Sequence, residues 1–130
     1  MKSRIKTVCV IGLTIQFVTT GSVLAQSSRI GAEGGDIVIT PIMHASAQVE
    51  YAGSVIQIGP WGVADLSLVK PADLILVTDD PSHHLDPDAI AAVSKPGAPV
   101  VLTAKAQSRF SDGIVLANGD SGVFAGIQVE

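Results

Sequence analysis

Polar and apolar positions alternate along residues 44–58. Across residues 44–51 small or apolar side chains alternate with polar ones, and this period of two predicts a half-buried strand. Residues 54–58 continue the alternation after Ala52-Gly53, so the two segments predict a β-hairpin. The β-branched residues 36–40 predict an earlier strand that ends at Pro41, because proline cannot donate a hydrogen bond to a neighbouring strand.

Unbroken apolar runs replace this alternation in the second half of the chain. Leu74–Val77 and residues 99–103 each predict a strand that is buried on both faces, as in the centre of a layered α/β sheet. Between them, Asp86 is a good N-cap and Pro87 suits the first helical position. These signals predict a helix from Pro87 that ends near residues 95–97.

A last hairpin is predicted close to the carboxyl terminus. Residues 113–117 and 123–129 are apolar enough to form two strands, and Asn118-Gly119 is a strong turn signal between them. The elements together predict one α/β domain over residues 36–130. Its doubly apolar strands need cover on both faces, so an uncovered sheet face is expected to promote self-association.

The first 25 residues have the pattern of a secretory signal peptide. Three basic residues, at positions 2, 4 and 6, precede an apolar run over residues 8–17, and small residues precede a predicted cleavage before Gln26. The run is shorter than the span of about 20 residues that crosses a bilayer. An uncleaved anchor is the alternative. We expect a secreted or periplasmic protein without a stable membrane anchor after cleavage, with residues 26–35 as a linker.

Composition narrows the function further. The formal net charge of −4 argues against a surface that binds nucleic acid. Cys9, the only cysteine, lies inside the predicted signal peptide, so the mature protein would have neither a disulfide nor a thiol nucleophile. A hydrophobic content of 47% is too high for a disordered chain, and this leaves a folded, acidic domain.

A polar loop over residues 78–86 follows the buried strand Leu74–Val77. Loops at the carboxyl ends of central strands are where α/β folds place their binding sites. This loop contains His83 and His84, and it also contains three acids, Asp79, Asp80 and Asp86. Imidazole and carboxylate groups are suitable ligands for zinc. The alternative interpretation is a solvated loop whose acids cap the following helix.

Several segments together resemble the metallo-β-lactamase superfamily, in particular the lactonase-like branch related to ascorbate-6-phosphate lactonase. The matching segments are His44-Ala45-Ser46, Pro60-Trp61, residues 72–78 and Leu85-Asp86-Pro87. The resemblance implies an αββα sandwich, of which this chain would carry roughly the first half. It also implies that a metal-bound water hydrolyses a small lactone, ester or phosphoester.

The metal-binding signature of that family, Thr-His-x-His-x-Asp-His, is altered here. The four ligand positions carry Asp79, Pro81, His83 and His84, and only the last residue is unchanged. Gly59 stands where the family has an aspartate before the Pro-Trp pair. Because the side chain of proline offers no lone pair to a metal, a complete dinuclear centre is not expected.

The resemblance nevertheless implies a reduced site. We predict at most one zinc or other divalent ion, held by Asp79, His83 and His84, with Asp80 orienting the water. The resemblance places His44 beside the catalytic site, whereas the residue taken alone also suits a structural, hydrogen-bonded role. The competing hypothesis is a secreted, non-catalytic binding or scaffold protein that kept the fold and lost the metal.

Overall fold

The computed structural model describes residues 26–130, and the predicted signal peptide lies outside them. The chain has an α/β fold with a mixed sheet and few helices, in agreement with the predicted class. Its elements are β1 (Ser28–Ile30), β2 (Ile37–Met43), β3 (Ser46–Tyr51), β4 (Ser54–Ile58), a 3₁₀ turn (Leu66–Leu68), β5 (Leu74–Val77), α1 (Pro87–Val93), β6 (Val100–Leu102), α2 (Ala104–Gln107), β7 (Ile114–Val115), β8 (Gly122–Phe124) and β9 (Ile127–Val129).

Strands β1–β7 form one sheet in chain order, and β8 and β9 pair separately. Neighbours from β1 to β4 are antiparallel, whereas β4, β5, β6 and β7 are parallel. The parallel strands point their carboxyl ends to one edge, where the polar loop after β5 lies. No helix among residues 26–130 is long and apolar enough to span a membrane.

The predicted hairpin of β3 and β4 is confirmed. Its turn residues have positive φ angles, 49° at Ala52 and 84° at Gly53, as a two-residue turn between twisted strands requires. The helix prediction is also confirmed, because α1 begins at Pro87. The Asp86 carboxylate accepts hydrogen bonds from the backbone N–H groups of Asp88 and Ala89 at 3.1 and 3.2 Å.

Three details at the start of the domain differ from the prediction. Strand β2 continues through Pro41 to Met43, where the register shifts, because a proline is tolerated in a strand at such an irregularity. His44 lies in the turn between β2 and β3 and does not begin a strand. Within the predicted linker, Ser28–Ile30 pairs with β2 as the edge strand of the sheet.

The predicted last hairpin is wrong. Asn118-Gly119 does form a turn, since the backbone N–H of Asp120 donates to the Ala117 carbonyl at 2.9 Å. Strand β7 before this turn pairs instead with β6 in parallel. The observed hairpin is β8–β9, and it turns at Ala125-Gly126 with φ angles of 50° and 81°.

The main core lies between the sheet and its helices. Alternate side chains of β5 and β6 point into it and meet the inner face of α1, as the apolar runs predicted. The buried cluster comprises Ala72, Ile75, Val77, Leu85, Ile90, Val93, Val100, Leu102 and Ala106.

The opposite face of the sheet is less well covered than the helical face. Leu74 and Val101 are buried there, but Ile56 and Leu76 are only half-buried. Residues of the β8–β9 hairpin line part of two cavities on this face. Ile56 lines the first cavity, and Leu76 and Val101 line the second. This face is therefore partly covered and not bare, and self-association through it stays a prediction.

A polar pair crosses β3 and β4 on the helical side of the sheet. The Gln57 amide donates to Gln48 Oε1 at 2.8 Å, and the backbone N–H of Lys70 donates to the same oxygen at 2.7 Å. Gln57 Nε2 also donates to the Lys70 carbonyl at 3.2 Å. Both glutamines are buried, and Gln48 Nε2 donates in turn to Glu50 Oε1 at 2.8 Å. No buried side-chain nitrogen or oxygen among residues 26–130 lacks a hydrogen-bond partner.

Candidate functional site

The candidate site begins at the carboxyl end of β5. After Thr78 the chain makes a tight turn in which the backbone N–H groups of His84 and Leu85 donate to the Pro81 carbonyl at 2.8 and 2.9 Å. The Leu85 side chain is fully buried in the main core. This anchor and the capped helix that follows fix the position of the two preceding histidines.

The three histidines of the chain come together at this edge. The ring of His44, from the β2–β3 turn, lies 4.6 Å from that of His83 between centroids, and His83 lies 4.5 Å from His84. The centroid of the Trp61 ring lies 6.0 Å from that of His44 and 6.3 Å from that of His83, with the rings steeply inclined to each other. We call these four side chains the histidine cluster; Trp61 is half-buried beside the imidazoles.

Electrostatics favour a neutral imidazole at His83. Desolvation holds the pKa of His83 below its ordinary value, and the neighbouring His84 and His44 lower that pKa further. Asp79 acts in the opposite direction with a smaller effect. His83 is therefore uncharged at neutral pH and has a lone pair for accepting a proton or a hydrogen bond.

Hydrogen bonds and a close backbone approach fix the neighbours of the cluster. Thr78 Oγ1 lies 3.0 Å from His84 Nδ1, which orients that ring. Gly59 has a φ of +49°, and a Cβ there would lie 3.5 Å from the Cα and carbonyl oxygen of His84. Ser46 Oγ donates to the Gly59 carbonyl at 2.6 Å, so the ends of β3 and β4 are tied together beneath the histidines.

The two neighbouring carboxylates of the loop have a different partner, which the sequence analysis missed. Lys105 Nζ lies 3.1 Å from Asp79 Oδ1 and 2.7 Å from Asp80 Oδ1. The Arg109 guanidinium donates to the backbone carbonyl of Asp80. A hydrogen bond from the backbone N–H of Asp80 lowers the pKa of Asp79, and a hydrogen bond from Lys105 lowers it further. Hydrogen bonds to the carboxylates of Asp80 and Asp79 raise the pKa of Lys105.

The described residues do not fit the metal centre that the resemblance implies. Among residues 26–130 no three His, Cys, Asp or Glu side chains are arranged to hold a metal ion, and the predicted set of Asp79, His83 and His84 is included in that statement. Pro81 provides no ligand, and the Asp79 carboxylate is already bound to an ammonium group. The arrangement places a group of imidazoles beside an acidic pair that shares one ammonium group.

His44 is held in an unfavourable backbone conformation, and this gives a test of its role. Its φ of 53° is one that glycine adopts readily and most other residues avoid. We expect His44→Gly to change the free energy of unfolding by less than about 1 kcal/mol, because relief of strain and the greater freedom of the unfolded chain oppose each other. The pKa of His83 should rise, because one neighbouring imidazole is removed.

Urea unfolding and an NMR titration of the histidine ring protons measure the two effects. Ala52→Gly is the matched control, because Ala52 has a φ of 49° in the turn between β3 and β4. It should leave the pKa of His83 unchanged. An unchanged pKa of His83 in His44→Gly would contradict the observed cluster.

Comparison with known proteins relates the chain to a solved structure. The chain resembles the crystal structure of a "Putative metal-dependent hydrolase" from Parabacteroides distasonis ATCC 8503, with a TM-score of 0.70 and 34% sequence identity. The match covers 75% of this chain and 45% of that one, so the present chain spans less than half the length of its structural neighbour. No family model and no curated protein matches the sequence.

Proposed function

We propose that the chain is the first half of an exported, hydrolase-like protein of the metallo-β-lactamase type, in its lactonase-like branch. The 34% identity to a protein named as a metal-dependent hydrolase supports a hydrolase-like function. The match covers 45% of that protein, which supports the proposal that the chain is part of a longer fold. The assignment of β1–β7 to the first sheet of an αββα sandwich rests on the resemblance. Export rests on the charged and apolar pattern of residues 1–25.

The observation that carries the proposal is the convergence of His44, His83 and His84 at the carboxyl ends of the central strands. His83 is neutral at neutral pH and can accept a proton from a water or hydroxyl group of a bound ligand. Thr78 orients His84, and Trp61 adds an apolar edge. The substrate class proposed for this cluster, a small lactone, ester or phosphoester, rests on the resemblance to the lactonase-like branch.

A divalent ion such as zinc would, where bound, supply a hydroxide by lowering the pKa of a coordinated water. The described residues do not fit such an ion, so the role proposed for this half of the fold is ligand binding and proton acceptance by the histidine cluster. Any zinc that associates here is expected to be weakly held, at no more than one equivalent, and to depend on His84.

A second candidate function is non-catalytic binding in a scaffold that kept the fold. The contacts of Lys105 with Asp79 and Asp80 favour it, because both carboxylates already have a cationic partner in the chain itself. Pro81 favours it as well, since a ligand position of the family is absent.

Hydrolysis assays on the purified chain distinguish the two functions. We expect turnover of at least one class among small lactones, carboxylic esters and phosphoesters. The substitution His83→Gln should lower kcat about 100-fold or more, because it removes the proton acceptor. The rate of the native chain should fall as the pH drops through the lowered pKa of His83, since an imidazolium cannot accept a proton.

The control is Gln128→Ala, an exposed position on β9 outside the cluster, which should leave kcat unchanged. Elemental analysis in parallel should find at most one zinc equivalent, and none in His84→Ala. Ligand binding without hydrolysis of any of the three substrate classes would favour the non-catalytic scaffold. Two tightly held metal ions would contradict both functions.

A further inference from the structure

We infer that Lys105 is the resident cation of the loop after β5, and that its ammonium group takes the place of a metal ion beside Asp79 and Asp80. The resemblance implies a metal at this loop, and the described residues do not fit one. The contacts of Lys105 with the two carboxylates do not depend on whether the histidine cluster supports hydrolysis.

The ammonium group of Lys105 is shared by two carboxylates of the loop. Two adjacent carboxylates direct one oxygen each at the same ammonium nitrogen, at 3.1 Å from Asp79 and 2.7 Å from Asp80. Elsewhere among residues 26–130, the ion pairs of lysine each involve a single carboxylate, such as Lys95 with Asp73 at 2.7 Å. One ammonium shared by two acids is a cation between anionic ligands, which is the arrangement a divalent ion would otherwise require.

Helix α2 holds Lys105 in position beside the loop after β5. Thr103 caps the short helix, and its Oγ1 accepts from the backbone N–H of Ala106 at 3.3 Å. The side chain of Ala106 is fully buried in the main core. This anchor directs Lys105 at the two carboxylates, and Arg109 donates to the Asp80 carbonyl from the end of the same helix.

The ammonium group of Lys105 and a free metal ion would compete for the same two carboxylates. While Lys105 is paired with the two carboxylates, a divalent ion can bind them only by displacing its ammonium group. The positive charge of that group also repels the ion. Without Lys105, the carboxylates of Asp79 and Asp80 lose their cationic partner and are free to turn toward a divalent ion, to which carboxylate oxygens can bind. The Lys105 side chain is 64% exposed, so salt weakens its contacts and the competition is strongest at low ionic strength.

The test is a zinc titration of the full chain at low ionic strength, with a chromophoric chelator as competitor. We expect Lys105→Met to bind Zn²⁺ at least tenfold more tightly than the native chain. Lys105→Arg should keep the low native affinity, since it keeps the charge. Lys95→Met is the matched control, because it removes a lysine paired at 2.7 Å to a carboxylate elsewhere, and its affinity should equal the native one.

The double variant Lys105→Met/Asp79→Asn should lose the gain. Equal zinc affinities of Lys105→Met and the native chain would overturn the inference, and so would a gain that survives Asp79→Asn. A second measurement covers the case in which Lys105→Met does not fold. The NMR chemical shift of Lys105 Nζ, detected through the protons on Cε, should change in Asp79→Asn/Asp80→Asn, and an unchanged shift would also overturn the inference.

Discussion

Replacement of Leu85 by alanine is expected to lower the free energy of unfolding by about 2–5 kcal/mol, the range for removal of a fully buried leucine side chain. Leu85 has no exposed surface and belongs to the cluster that joins the sheet to α1. It also lies between His84 and the N-cap Asp86, so its loss should loosen the loop that carries the histidines. Urea unfolding followed by circular dichroism measures the stability, and ring-proton NMR of His83 and His84 reports on the loop.

Leu68→Ala is the matched control for this change. It removes the same atoms from a leucine that is 44% exposed at the end of the 3₁₀ turn, so the free energy of unfolding should change by less than about 0.5 kcal/mol. Equal effects of the two substitutions would show that Leu85 does not anchor the loop in the core.

Gly113→Ala is expected to destabilise the protein by about 1–3 kcal/mol through overpacking. A Cβ at this position would lie 2.1 Å from Leu102 Cδ2 and 2.6 Å from Leu102 Cγ, well inside van der Waals contact. The Leu102 side chain is 2% exposed and cannot move away without disturbing β6. Thermal unfolding should therefore show a clear decrease in Tm.

The neighbouring leucine provides the decisive comparison. Leu102→Ala alone should cost about 2–5 kcal/mol because it leaves a cavity. The double variant Gly113→Ala/Leu102→Ala should cost less than the sum of the single changes, because the new methyl group enters the space that the leucine vacates. Gly31→Ala is the control, since nothing lies within 4 Å of a Cβ there. Additive losses in the double variant would contradict the predicted clash.

Elements with strong local signals were predictable from the sequence. The hairpin of β3 and β4 follows from alternation and a small-residue turn, and α1 follows from Asp86 and Pro87. In both cases the residues that decide the structure are neighbours in the chain. The α/β class was predictable for the same reason, since a long apolar strand was followed by a capped helix and another apolar strand.

Elements that depend on distant partners were not predictable. Asn118-Gly119 is a good hairpin turn locally, yet β7 pairs with β6 because the parallel edge of the sheet was available to it. Pro41 lacks an N–H donor, but a register irregularity in β2 accommodates it. The helix α2 has only four residues, which is too short for a periodic pattern to show.

The candidate site was predictable in its position and in part of its composition. The loop after β5 and its two histidines were identified from the apolar strand that precedes them. The role of Lys105 was not, because 26 residues separate it from Asp79 and no sequence pattern links the two. The proximity of His44 to His83 likewise depends on how the β2–β3 turn meets the loop, which a single sequence does not encode in any local spacing.

The buried amides of Gln48 and Gln57 have a consequence for the choice among competing strand alignments. A shift of β3 by one residue against β4 would exchange the two faces, so that Val49 would take the place of Gln48. Gln57 would then lose a partner that a valine side chain cannot replace, and each amide left without a partner in the interior would cost about 1–3 kcal/mol. Strand β4 has apolar residues on both of its faces, whereas the hydrogen bond between Gln57 and Gln48 forms in only one alignment. It therefore penalises misaligned folded states and favours the native one during sheet assembly.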